Sequence, residues 1–245
     1  MQPSRTIAEL TVSFSKKLIV YSIALIMAVS VSSQLLWNAG VQNLVTGGLR
    51  TFMDLSSDES IPTWYASLIL LLIALASLVI GIVERQAPAP RKHRYFWFVI
   101  ATVFLLLSID EVARIHETAG GELSYLIAGD TSGLFYYEWV IVGLPFAILF
   151  GITSIPFLLT LHSKTRNLFI LSGIVFLSGA VGVEMFNGRY EEAHGAMNNT
   201  YMLWTALEEL LEMAGSGLFL IALIQYLSSR FGSLQLHLVE KETTQ

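Results

Sequence analysis

Three glutamates within five residues, Glu208, Glu209 and Glu212, interrupt a stretch of the chain that is otherwise largely apolar. At helical spacing they share a sector of about 100° with Thr205 and Ser216, while Leu210, Leu211, Leu218 and Phe219 mostly point elsewhere. Three carboxylates this close cannot all stay ionised in apolar surroundings, so they must be protonated or a cation must hold them. Two more acidic groups close earlier apolar runs: Asp110, Glu111, His116 and Glu117 in one, and Glu184, followed by Glu191 and His194, in another.

These residue types suit a metal ion. Carboxylates with one or two imidazoles and no thiolate favour iron, manganese or zinc over copper(I). If the helix bearing Glu184 persists past Gly188, Glu184 and Glu191 share a face. Glu191 and His194 then have the Glu-x-x-His spacing used by di-iron and di-manganese carboxylate bundles. The candidate ligands are Asp110, Glu111, His116, Glu117, Glu184, Glu191, His194, Glu208, Glu209 and Glu212. Glu209, Glu212 and Asp110 are the candidates for catalytic roles, in which metal-activated water or oxygen would attack a lipid-like substrate arriving from the side.

Plain structural readings stand beside these. Asp110 and Arg114, one turn apart, can pair, and Glu117 falls on the same helical face. His116 and Glu117 can end a helix among lipid headgroups, and Glu191 and His194 can sit in an exposed loop. Glu138, within Tyr136-Tyr137-Glu138-Trp139, reads as an interfacial residue. Met185 and Met213 read as packing.

The elements that must position these groups follow from composition. The chain has 245 residues, 54% hydrophobic and 13% charged, with a mean hydropathy of +0.62. That is the composition of an integral membrane protein. Six apolar runs, roughly 18–38, 64–83, 95–117, 137–161, 167–187 and 203–227, predict an all-α, polytopic bundle forming a single transmembrane domain. Pro145 and Pro156 predict a kink in the fourth helix. The Ala87–Pro90 stretch reads as a stiff connector. Absence of cysteine excludes disulfides, thiolate metal sites and a cysteine nucleophile.

Basic residues set the expected orientation. Eleven of the 14 Lys and Arg, among them Lys16, Lys17, Arg85, Arg94, Lys164, Arg166, Arg230 and Lys241, precede the first run, follow the last, or fill alternate loops. The positive-inside rule then makes both termini cytoplasmic. Fifteen of the 19 acidic residues fall at the opposite end. In a bacterial inner membrane that end is periplasmic. Lys16-Lys17 and the apolar run behind them faintly resemble a signal peptide, but the apolar character continues through Trp37, so the run is expected to remain as the first helix.

Ionisable groups at membrane depth are expensive, and their clustering marks a functional site. Three classes stay open: a metal-binding site, catalytic or not; a proton- or cation-coupled transporter or channel subunit; and a non-catalytic structural subunit. The lipid bilayer and a lipid-like molecule are the expected partners. His93, His162 and His237 belong to basic loops and the tail, and nothing suggests nucleic-acid binding. No phosphate-cradling glycine loop, nucleophile elbow or His-Glu-x-x-His helix is present.

Overall fold

In a computed structural model, which describes residues 3–86 and 91–231, each of the six apolar runs coincides over most of its length with a helical segment long and apolar enough to cross a membrane. The Ala87–Pro90 connector, His237 and Lys241 lie outside the described residues. In chain order the helices are α1 (Pro3–Asn38), α2 (Leu44–Phe52), α3 (Ile61–Gln86), α4 (Arg91–Ala113), α5 (Gly121–Ala128), α6 (Val140–Leu158), α7 (Ser163–Leu177), α8 (Glu184–His194) and α9 (Asn199–Phe231). No strand occurs among the described residues. The protein is an all-helical membrane-spanning bundle.

Helix α9 is the central pillar. It packs against α1, α3 and α7, and its Met213 and Leu223 are fully buried. Ile19, Ile23 and Ile26 of α1 and Ile69, Ile73 and Ile80 of α3 complete the apolar core around it. Near the basic end an aromatic stack joins α4, α6, α7 and α9: Phe157 lies 4.7 Å from Phe96 and 4.9 Å from Trp97, and Phe169 lies 4.5 Å from Phe219. Such pairs stabilise beyond their buried area. Below them Glu84 accepts from Tyr226 (2.9 Å) and Arg230 (3.3 Å).

Two stretches depart from regular α-helix, and both adjoin the acidic residues. Helix α4 ends at Ala113, four residues earlier than its sequence pattern predicts, because Arg114 turns to φ 52°. A left-handed arginine is unfavourable by roughly 1–2 kcal/mol. The guanidinium is held there by Asp58 and Glu117. The expected Asp110–Arg114 pair, and the single face expected to carry Asp110, Arg114 and Glu117, are therefore not formed. The chain continues as a π-turn, His116–Gly120, into α5. A second π-turn, Ser178–Val183, joins α7 to α8. Extra residues of this kind rotate whatever follows them relative to the helix before, and they recur at functional sites.

The second π-turn can form against α9 because both partners are small where they meet. A Cβ on Gly179 would lie 2.8 Å from the Glu208 carbonyl oxygen, and one on Gly215 would lie 2.5 Å from the Phe176 nitrogen. Small residues of this kind let membrane helices approach closely. Both prolines of α6 sit inside a helix that continues past them. Gly188 likewise does not end α8, which runs on to His194.

Helices α2 and α5, which the six-run reading does not anticipate, are too short to span. Asn43 and Thr46 form a reciprocal cap at the start of α2. Its Leu44, Val45 and Phe52 are exposed, as are Leu126 and Ile127 of α5. In a membrane such faces lie in the interfacial layer. Arg50, one of the basic residues at the acidic end, bonds Gln34 at 3.0 Å and lies 5.3 Å from the Trp37 ring.

Substituting Gly179 with Ala forces a Cβ against α9. The resulting overpacking should cost about 1–3 kcal/mol, read as a lowered midpoint of thermal or detergent-induced unfolding. Gly173→Ala, where a Cβ meets nothing within 4 Å, should leave the midpoint unchanged or raised.

Candidate functional site

A cavity of about 1130 Å³ runs between α4, α6, α7 and α9. Its two ends differ sharply in chemistry. The end near the basic loops is walled by Phe96, Ile100, Phe157 and Phe169, and the other end by acidic side chains. Ten carboxylates line it (Asp58, Asp110, Glu111, Glu117, Glu138, Glu184, Glu191, Glu208, Glu209 and Glu212), against one guanidinium, Arg114, and one imidazole, His116. Nine of the ten candidate ligands expected from the sequence therefore share one chamber. His194 does not: it is exposed, stacks on Tyr190 at 4.5 Å, and its Nδ1 lies 3.3 Å from the Tyr190 carbonyl oxygen.

The carboxylates divide by what they touch. Asp110 uses both oxygens on one partner: Oδ1 accepts from the His116 backbone N–H at 2.7 Å, and Oδ2 lies 2.8 Å from His116 Nδ1. The turn created by Arg114 makes this possible, because it folds residue 116 back over the end of α4. Asp110 thus fixes the ring and its tautomer, as carboxylates do behind metal-bound or catalytic imidazoles. The His116 ring also packs edge-on to Trp139, with centroids 4.9 Å apart. Its Nε2 makes no hydrogen bond to a described residue.

Glu184 accepts from Trp139 Nε1 at 2.8 Å, and Glu191 from Tyr137 Oη at 2.5 Å. Glu208 accepts from Asn187 Nδ2 at 3.2 Å, and the same nitrogen reaches Thr205 Oγ1 at 3.1 Å. The carboxylates of Glu111, Glu209 and Glu212 accept no hydrogen bond from any described residue. Glu209 and Glu212 lie within electrostatic reach of each other and of Glu111, Glu208 and Glu184. Asn187 adds a further unsatisfied group. It is 2% exposed, and its Oδ1 has no partner. The polar end is thus rich in acceptors and short of donors. A buried acceptor without a donor is expensive, and several anions together more so.

Among the described residues, no three His, Asp or Glu stand close enough to hold a metal ion as they are placed. The side chains ring the chamber wall instead of meeting at one point.

Sequence reasoning undervalued several of these groups. Asp58 lies in a polar loop with no periodic pattern, and Trp139 and Glu138 read as ordinary interfacial residues. Asn187 stands three residues past Glu184, about one helical turn on, and that spacing was the available signal once the helix was known to continue.

The chain belongs to the family described as "Domain of unknown function (DUF8692)", which it matches over residues 18–227. No curated protein and no solved structure matches it.

His116, which lies beyond the end of its span, gives a pH signature. Burial would by itself lower the His116 pKa. The hydrogen bond and charge of Asp110, with the charges of Glu117 and Glu111, outweigh burial and raise it. Because the folded state binds this proton more tightly than the unfolded chain, the pair contributes fully below the ordinary imidazole value of ~6.5 and loses its contribution as pH rises through the folded value. In spectra of metal-depleted protein labelled at histidine, the His116 ring should titrate above that ordinary value. Asp110→Asn should bring it down; an unchanged titration would sink the assignment.

Proposed function

We propose that this protein binds a divalent metal ion at the acidic end of the cavity and acts there on a lipid-like molecule whose apolar part lies along the cavity. The observation that carries this reading is the excess of carboxylates in one chamber, three of them without a hydrogen-bond donor among the described residues. Charge of that density at membrane depth calls for protons or a cation. Glu111, Glu209 and Glu212 have no hydrogen bonds to described residues to break, so their side chains can swing inward onto an ion at little cost. Carboxylate oxygens, the free Asn187 Oδ1 and a single imidazole nitrogen make a hard, oxygen-rich donor set that fits manganese, iron or zinc.

In this reading His116 offers Nε2 as a ligand while Asp110 orients it from behind. Asp110 is then a positioning residue and not itself a ligand. Glu208, held by Asn187, and Glu184, held by Trp139, keep fixed orientations at the rim. A bound divalent ion would supply Lewis acidity and an activated water. Glu209 or Glu212 would take the proton released. His194 has no part in the site.

A one-sided chamber also favours this reading over transport. The stack of Phe96, Phe157, Trp97 and Phe169 closes the floor, and every carboxylate lining the chamber belongs to the acidic end. Alternating access uses a site near the midplane between repeated halves. By the distribution of Lys and Arg, the chamber opens on the periplasmic side of a bacterial inner membrane, with both termini in the cytoplasm.

Elemental analysis after purification without chelators should find close to stoichiometric iron, manganese or zinc. A variant carrying Glu212→Gln and His116→Ala should lose it while keeping its helical content by circular dichroism. Only trace metal in the unmodified protein would overturn the reading.

Because the chain has no cysteine, orientation can be read with single introduced thiols. Ala193→Cys should react with a membrane-impermeant maleimide on spheroplasts, and Lys164→Cys should react only after the membrane is opened. The reverse pattern would put the chamber in the cytoplasm.

A further inference from the structure

The cavity is too long for a head group alone. Its lining runs along α4 from Glu111 to Phe96, 15 residues or about 22 Å at 1.5 Å per residue. One leaflet of hydrocarbon is half of a core roughly 30 Å thick, so the chamber exceeds the depth of one lipid tail. Apart from Ser154 and Ser172, the floor is apolar and largely aromatic.

The wall is also open to the side. Helices α6 and α7 are consecutive and joined at the basic end, yet they are not among the closely packed helix pairs. Phe146 and Ile155 on α6 and Ile170 and Ile174 on α7 line the cavity. The same four residues are exposed: 55%, 50%, 42% and 61% respectively. Exposure of that size, on two neighbouring helices that do not pack on each other, is what an open seam between them leaves. Here the outside is the bilayer core, because both helices are membrane spans.

We propose that the α6–α7 seam is a lateral portal, and that the cavity takes one acyl chain of a bilayer phospholipid through it. The chain lies over the aromatic floor with its head at the acidic end. This rests on the lipid-like occupant proposed above and is independent of the metal. Two glycines give a means of closing the chamber without breaking the fold. Gly151 on α6 and Gly173 on α7 both line it, and a Cβ at either would meet nothing within 4 Å. Each lies 11 or 12 residues from the acidic end of its wall, at Trp139 and Glu184 respectively, or about 16–18 Å deep by helical rise. A large side chain at these positions occupies the space of the tail, and it replaces a poor helix former.

The test uses the full chain in vesicles of phosphatidylethanolamine and phosphatidylglycerol, with a trace of phosphatidylethanolamine bearing a photoactivatable group near the end of a palmitoyl chain. After irradiation, labelled residues are mapped by mass spectrometry. Labelling is expected at Phe96, Phe157 or Phe169 on the floor, beside the general labelling of exposed residues such as Leu25 and Leu106. Gly151→Phe with Gly173→Phe should abolish the floor labelling and leave the labelling of Leu25 and Leu106 intact. Gly173→Leu alone serves if the double variant does not fold. Metal content should not change in either variant, so failure of the metal reading and failure of this one are separately visible. Labelling confined to the outward faces, or floor labelling that survives the substitutions, overturns the portal.

Discussion

Negative charge gathered at membrane depth is the constraint around which this bundle is arranged. A carboxylate in the hydrocarbon layer must find a donor, a proton or a cation, and each additional one nearby makes ionisation harder. Some of the acidic groups here have found protein partners. Asp110 has His116, Glu184 has Trp139, Glu191 has Tyr137 and Glu208 has Asn187. Glu111, Glu209 and Glu212 have none among the described residues, and neither does the side-chain Oδ1 of Asn187. A structural polar cluster would be expected to close its own hydrogen bonds, because each one left open is destabilising. This one leaves several open toward the same space.

Regular helix would not produce that arrangement. The left-handed Arg114 ends α4 early and lets His116 fold back onto Asp110. The π-turn before α8 changes the rotation of Glu184 and Asn187 relative to α7. That turn depends on Gly179 and Gly215, whose missing side chains let the backbones of α7 and α9 come into contact. Backbone irregularity is thus concentrated where the acidic groups are and is supported by specific pairs nearby. Strained or irregular backbone of this kind persists only where the surroundings over-determine it.

The chamber joins two environments that rarely meet. Its acidic end gathers carboxylates that outnumber their donors, and its other end resembles a hydrophobic core from which the packing has been left out. The splay between α6 and α7 is the reason. Two neighbouring spans that do not pack on each other leave apolar side chains facing a void, and in a membrane such a void can be filled by lipid without the penalty that water would bring.

The sequence by itself determined the class of fold, the six spans, and the gathering of acidic groups at one end. These properties are written in local composition: long apolar runs, and alternation of basic and acidic connecting segments. It also singled out eight of the ten carboxylates that share the chamber, because an ionisable residue in or beside an apolar run stands out whatever surrounds it. Only the tertiary structure decided what each of them touches. Whether Asp110 meets Arg114 or His116 depended on one residue's φ angle, which nothing in the local pattern specifies. Whether His194 belongs to the site depended on the direction in which α8 presents it, and the role of Asn187 depended on α9 lying against it. The void beside α6 was equally invisible, since an apolar residue facing lipid, a neighbouring helix or an internal space reads the same in one dimension.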